Sequence, residues 1–190
     1  AMTDSNKIGY VAAFPIPEVI RGINAFAAGV NEVNPDATVE VVWTFTWFGP
    51  EAETQAANAL LEKGADVLAQ HQDSTATGLA AEAAGAKWIS YNTAYGQDSA
   101  PEAFVTAPVW DWGPYYVDVV ESIIDGTFTT ESYWGGMETG LVSLYDLSSD
   151  VPSETATLIA EKTEAIIDGT LEVAIVEEEF ISNVIGTVNP

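Results

Sequence analysis

The spacing of apolar positions changes period in a regular order along the chain. Ile8-Gly-Tyr-Val-Ala-Ala-Phe14 is a short apolar run closed by Pro15-Ile-Pro17, the pattern of a strand buried on both faces. From Glu18 the residues Val19, Ile23, Phe26, Val30 and Val33 fall three or four apart until Asn34-Pro35-Asp36, which predicts an amphipathic helix with a sharp stop. Thr38 to Trp47 is β-branched and aromatic, and Gly49-Pro50 ends it with proline set for the first turn of a helix. That helix is expected over Glu51 to Lys63, stopping at Gly64. Ala65 to Ala69 follows as a strand, Asp73-Ser74 as the cap of a helix ending at Gly85, and Lys87 to Tyr91 as a fourth strand.

Each of these helices is a crossover between parallel strands, so the class is α/β, a doubly wound parallel sheet, with strand order 2-1-3-4-5 expected. Phe104 to Val109 reads as the fifth strand, and Asp111 as the cap of a helix from Pro114 to Asp125, ended by Gly126. Beyond it, Tyr133 to Met137 reads as a loop, Gly140 to Tyr145 as a short strand, Pro152 to Asp168 as a helix, and Leu171 to Val176 as a strand. The recurrence of Ile123-Ile-Asp-Gly-Thr127 as Ile166-Ile-Asp-Gly-Thr170 is explained by two helix ends with one stop signal. The expected organisation is 1–6 as a linker left by tag removal, 7–170 as one lobe with a C-terminal extension, and 171–190 as a C-terminal strand and tail.

Composition narrows the partners. The 190 residues carry 29 Asp and Glu against 5 Lys and Arg, a net charge of -24, which repels phosphate backbones and makes nucleic acid a poor partner. Such an excess suits a salt-rich solvent, where self-repulsion is screened. With 47% hydrophobic residues the chain nevertheless packs a core. There is no cysteine, hence no disulfide and no thiolate chemistry. No apolar run is long enough to span a membrane.

In an open parallel sheet, ligands bind outside the carboxyl ends of the strands. There the chain places Phe14, Trp47, Asp73, Asn92, Trp110, Asp111 and Trp112, the candidate ligand-binding residues. Aromatic rings alternate with carboxylates and a carboxamide, and Arg21 is the lone cation nearby, which suits a flat, neutral, hydrogen-bonding ligand. Asp73 and Asp111 also precede helices, where N-capping explains either. His71, the single histidine, is either a base or a satisfied strand-end residue. No G-x-G-x-x-G, Walker loop or nucleophile elbow is present, and Pro15 and Pro17 remove backbone donors where a phosphate would need them. Ser74, His71 and Asp73 lie too close in sequence for a catalytic triad. No catalytic residue, metal or cofactor is expected.

At these positions the chain resembles the basic membrane protein family, the substrate-binding lipoproteins of ABC importers that include purine nucleoside receptors. The resemblance spans Lys7 to Thr170. It rests on Lys7-Ile-Gly-Tyr-Val11 with Ile16-Pro17, Phe26-Ala-Ala-Gly-Val30 with Val33-Asn-Pro35, Leu61-Glu-Lys-Gly-Ala-Asp-Val67, and Asp125-Gly-Thr127. Gln70-His-Gln-Asp-Ser74 and Val109-Trp-Asp-Trp-Gly-Pro-Tyr-Tyr116 are similar to a tryptophan-rich subgroup. The resemblance implies a type I periplasmic-binding-protein lobe, an extracytoplasmic site of action, a purine-like ligand and an ABC permease as partner. Family members are two-lobed and about twice this length, and this chain is similar to their second half. Asn92-Thr93 stands where nucleoside-binding members carry an acid-rich turn, and Trp110 where they carry lysine. A family aromatic in the first helix aligns with Gly22, and Phe14 or Trp47 would replace it. A free purine-like base is thus expected to bind better than a nucleoside.

Two other classes remain open from the residues alone. One is a flavodoxin-like cofactor-binding domain, with strand-end aromatics flanking an isoalloxazine ring. The other is a stand-alone ligand-sensing or interaction domain. Half of a clamshell leaves Trp47, Trp110 and Trp112 in solvent, so self-association through the strand-end face is also expected.

Overall fold

Strand β1 (Lys7–Ala12) is buried at every position after Lys7, as an unbroken apolar run covered on both faces requires. The computed structural model, which describes residues 1–186, continues it with α1 (Pro17–Val33), β2 (Thr38–Trp43), α2 (Pro50–Glu62), β3 (Val67–His71), α3 (Ala76–Ala83) and β4 (Lys87–Ile89). Next come α4 (Gly96–Ser99), β5 (Phe104–Thr106), β6 (Pro108–Trp110), α5 (Gly113–Ile124), β7 (Val142–Leu144), α6 (Ser153–Ile167) and β8 (Val184–Ile185). The main sheet has the order β5-β4-β3-β1-β2-β8, with every pairing parallel. The expected order 2-1-3-4-5 is therefore present, extended by one strand beside β2.

Alternation along β1 divides the core. Val11 joins Leu60, Leu68, Trp88 and Phe104 beneath α2 and α3, while Ile8, Tyr10 and Ala12 join Val19, Ile23 and Val39 beneath α1. Trp88, fully buried, lies in a slot between two glycines: a Cβ at Gly78 would stand 2.2 Å from its ring, and one at Gly96 2.7 Å. The indole N–H donates to Gln70 Oε1 at 3.0 Å. Gln70 Nε2 in turn donates to the carbonyls of Gln72 and Ser74 at 2.9 and 2.8 Å, which fixes the turn where β3 ends.

Several expected features differ. The strand expected over Phe104 to Val109 breaks at Ala107, and Pro108, which has no N–H for the ladder, opens the next strand. β6 leaves the main sheet there and pairs antiparallel with β7. Leu171 to Val176 forms no strand: Asn24, buried in α1, donates to the carbonyls of Val176 and Glu179 and accepts from Ile181 N–H, holding this tail along the helix. The sixth strand is Val184–Ile185 instead, and residues 187–190 of the expected tail lie outside the described residues. Asp73 does not cap α3, which starts later. Ser74 Oγ accepts from Ala76 N–H at 3.2 Å in its place. At the other terminus, Asp66 accepts from Thr3 Oγ1 and from the Asp4 and Ser5 N–H groups, so the segment expected as a linker is tied to the lobe.

Helix α5 stands apart. None of its residues is buried, and Tyr116, Val117, Val120, Ile123 and Ile124, an apolar stripe at helical spacing, are each more than half exposed.

Candidate functional site

A cleft of about 800 Å³ opens at the carboxyl ends of β3 and β4 and follows the sheet face beside α1. That volume falls in the range of small-molecule sites. Tyr10, Ala69, Ile89 and Thr106, from four adjacent strands, form its floor. Glu18, Arg21 and Phe26 line it from α1, and Trp110, Trp112, Tyr133 and Trp134 line it from the segments around β6 and before β7.

Of the residues expected from sequence, Trp110 and Trp112 line this cleft. Their rings are stacked, 5.8 Å between centroids and 3° between planes. Asn92 does not line it but accepts from the Trp110 indole N–H, from a backbone held at φ 58°. A positive φ in a residue other than glycine is strained, and strain of this kind collects at functional sites. Asp111 points elsewhere: its Oδ1 accepts from Gly113 N–H at 3.0 Å and serves the first turn of α5. Phe14 and Trp47 sit together at the ends of β1 and β2, 5.1 Å between centroids, and Trp47 lies 5.9 Å from the His71 ring. They form a second ring surface adjoining the cleft rather than part of its lining. Asp73 is exposed at the turn after β3 and is not among the lining residues.

The centre of the cleft is a cluster that sequence reasoning did not assemble. His71, buried at the end of β3, has Nε2 at 3.0 Å from Glu18 Oε1 and at 2.9 Å from the Tyr91 hydroxyl. An ionised carboxylate only accepts, so Nε2 carries the hydrogen. His71 Nδ1 is buried and has no partner among the described residues. Burial pushes the Tyr91 phenol up to about 12, with the Glu18 charge adding to it. Burial raises the Tyr10 phenol too, so both hydroxyls stay protonated at neutral pH.

Arg21 is the sole cation on the lining and is already engaged. Its Nη1 donates to Glu177 Oε1 at 2.8 Å, and its guanidinium lies 5.0 Å from the centre of the Trp134 ring. Among the described residues no group of three or more His, Asp or Glu could hold a metal ion.

A family model described as ABC transporter substrate-binding protein PnrA-like matches residues 1–176. A putative ABC transporter glucose-binding protein of Haloferax volcanii is 44% identical over 172 residues, covering 90% of this chain and 44% of that protein. A purine-binding protein of Brucella abortus is 41% identical over 171 residues, 87% of this chain and 47% of that protein. An ABC transporter solute-binding protein of Conexibacter woesei shares the fold, with a TM-score of 0.75 at 24% identity, over 90% of this chain and 58% of that one. The chain spans about half the length of the curated relatives it matches.

Proposed function

Because the chain belongs to the Bmp family of PnrA-like ABC transporter substrate-binding proteins, we propose that its cleft binds a flat, purine-like base and leaves it chemically unchanged. The observation that carries this is the Trp110–Trp112 pair, two parallel indoles at the edge of a cleft rich in rings. A base stacks on such a platform whatever its substituents, and Asn92 keeps the first indole from rotating away. Phe14 and Trp47 meet the ligand's outer edge. Nucleotides are excluded, because the one lining cation already serves Glu177 and the surrounding field is negative. A hexose is the poorer fit although one relative is named for glucose. It presents a hydroxyl on nearly every carbon, each needing a partner, where this cleft offers mostly rings and aliphatic groups.

In the whole protein a second lobe covers the ligand's other face. The bare stripe on α5 is where that lobe packs, since an apolar helix face of this size is otherwise left in water. Membership of this family supports an ABC permease as the whole protein's partner and a site of action outside the cytoplasmic membrane. No helix among the described residues is long and apolar enough to cross a membrane.

Calorimetric titration with adenine tests the assignment. Trp110→Ala and Trp112→Ala should each cost about 1–3 kcal/mol of binding, the worth of one stacked base. Adenine binding indifferent to both changes would overturn it.

A further inference from the structure

The stack fixes a ring's plane but not which edge it presents, and the cluster behind the stack supplies that. Glu18 is the second residue of α1, and its half-exposed carboxylate faces the cleft. One oxygen, Oε1, is held by His71 Nε2, and Oε2 accepts from no described residue. The Tyr91 oxygen lies beside the same Nε2–H and is also hydrogen-bonded by the Asn92 side chain, which lowers the phenol's pKa and so acts on it as a donor; the Tyr91 hydroxyl lines the cleft with its own hydrogen left to give. Tyr91 also precedes Asn92, the residue that pins the Trp110 indole, so this pair borders the stacking platform. The groups facing it from neighbouring elements do not supply a competing cation: Arg21 is paired with Glu177, and Tyr10 is a neutral hydroxyl.

We propose that Glu18 and Tyr91 form an acceptor–donor pair that reads the hydrogen-bonding edge of the stacked ring, with His71 as the positioning residue. This rests on the reading of the cleft as a base-binding site. Glu18 Oε2 accepts from an exocyclic N–H, and the Tyr91 hydroxyl donates to the ring nitrogen next to it. The ligand class is a heterocycle carrying an amino group beside a lone-pair nitrogen, as on the six-membered ring of adenine. A hydrogen bond to a charged acceptor discriminates more strongly than a neutral one, because removing the donor leaves a desolvated carboxylate unpaired.

The test is a cycle of two ligands and three proteins read by calorimetry. Adenine is compared with N6,N6-dimethyladenine, which keeps the ring and its lone pairs but has no exocyclic N–H. In the natural chain, dimethylation should weaken binding about tenfold or more. In Glu18→Ala, checked for folding by circular dichroism, the two ligands should bind within about twofold of each other. His71→Phe should lower the affinity for adenine while leaving that for the dimethyl compound unchanged, a selectivity that a general loss of structure would not produce. Equal binding of both ligands to the natural chain, or a dimethylation penalty that survives in Glu18→Ala, overturns the inference while the stacking assignment stands. Failure of both ligands to bind the natural chain overturns the base-binding reading, and this inference with it.

Discussion

Two glycines in the lobe make opposite demands on the same substitution. Gly29 lies inside α1 with nothing within 4 Å of where a Cβ would stand, so Gly29→Ala gains helix propensity alone, about 1 kcal/mol. A Cβ at Gly78 in α3 would stand 2.2 Å from Trp88 Cε3 and 2.3 Å from Cζ3. The ring would have to retreat by roughly an ångström to reach ordinary contact. It has nowhere to go: Trp88 is fully buried, Gly96 closes the other side of the slot, and its N–H is bonded to Gln70. Overpacking a rigid core in this way typically costs about 1–3 kcal/mol. At this chain length about 1 kcal/mol moves the melting temperature by about 2–4 °C. Thermal unfolding followed by circular dichroism should therefore show Gly29→Ala melting about 2–4 °C above the natural chain, and Gly78→Ala, whose clash outweighs the same propensity gain, up to about 8 °C below it. Gly78→Ala melting at or above the natural chain would refute the description of Trp88 as locked in its slot.

Other consequences concern charge and the bare helix. Burial tends to raise the Asp66 pKa, but bonds from Thr3, Ser5 and Asp4 outweigh it and hold the carboxyl below its usual range. A depressed folded pKa contributes stability above the unfolded value of about 3.9 and loses it as pH falls through the folded one. Asp66→Asn should thus destabilise near neutrality and flatten the loss on acidification below about pH 4; parallel acid profiles would contradict this. Four of the five cations already sit in ion pairs with carboxylates, leaving most of the 29 acids facing one another, so melting temperature should climb from low to molar salt. A flat profile would oppose it. The isolated chain should self-associate in sedimentation experiments, and the pair Val120→Glu with Ile123→Glu should reduce this; a monomer at high concentration would count against the α5 stripe as a docking face.

The first four strands and their order were legible because the period of the apolar pattern switches at each glycine or proline stop, and short parallel connections permit few topologies. What sequence could not show are contacts between distant residues. The apolar stretch from Leu171 reads as strand, yet Asn24, a polar residue in the middle of α1 with no local signature, captures the tail's backbone instead. Trp110 and Trp112 were visible as an unusual pair. Glu18 and Tyr91 were not, since each looks like an ordinary helix-start acid or strand-end aromatic until the β1-α1 turn brings Glu18, and the β3–β4 pairing brings Tyr91, to His71. Tyr91 was within reach of the strand-end rule that picked out Asn92, and Glu18 of the same rule applied one residue past Pro17. Asp111 reads in the sequence both as cap and as ligand contact; in the fold it sits one residue before the Trp112 N-cap and its Oδ1 accepts from Gly113 N–H.

The most direct test of a base stacked on the Trp110–Trp112 platform is a nuclear magnetic resonance titration of the indole N–H signals with adenine, assigned through single Trp→Phe variants. Ring currents from a stacked base should shift the Trp110 and Trp112 signals saturably. The Trp88 signal, buried beneath α3 and bonded to Gln70, should stay still, and adenosine monophosphate or glucose should move none of the three. Saturable shifts of the same signals by glucose or by the nucleotide but not by adenine would contradict the assignment outright.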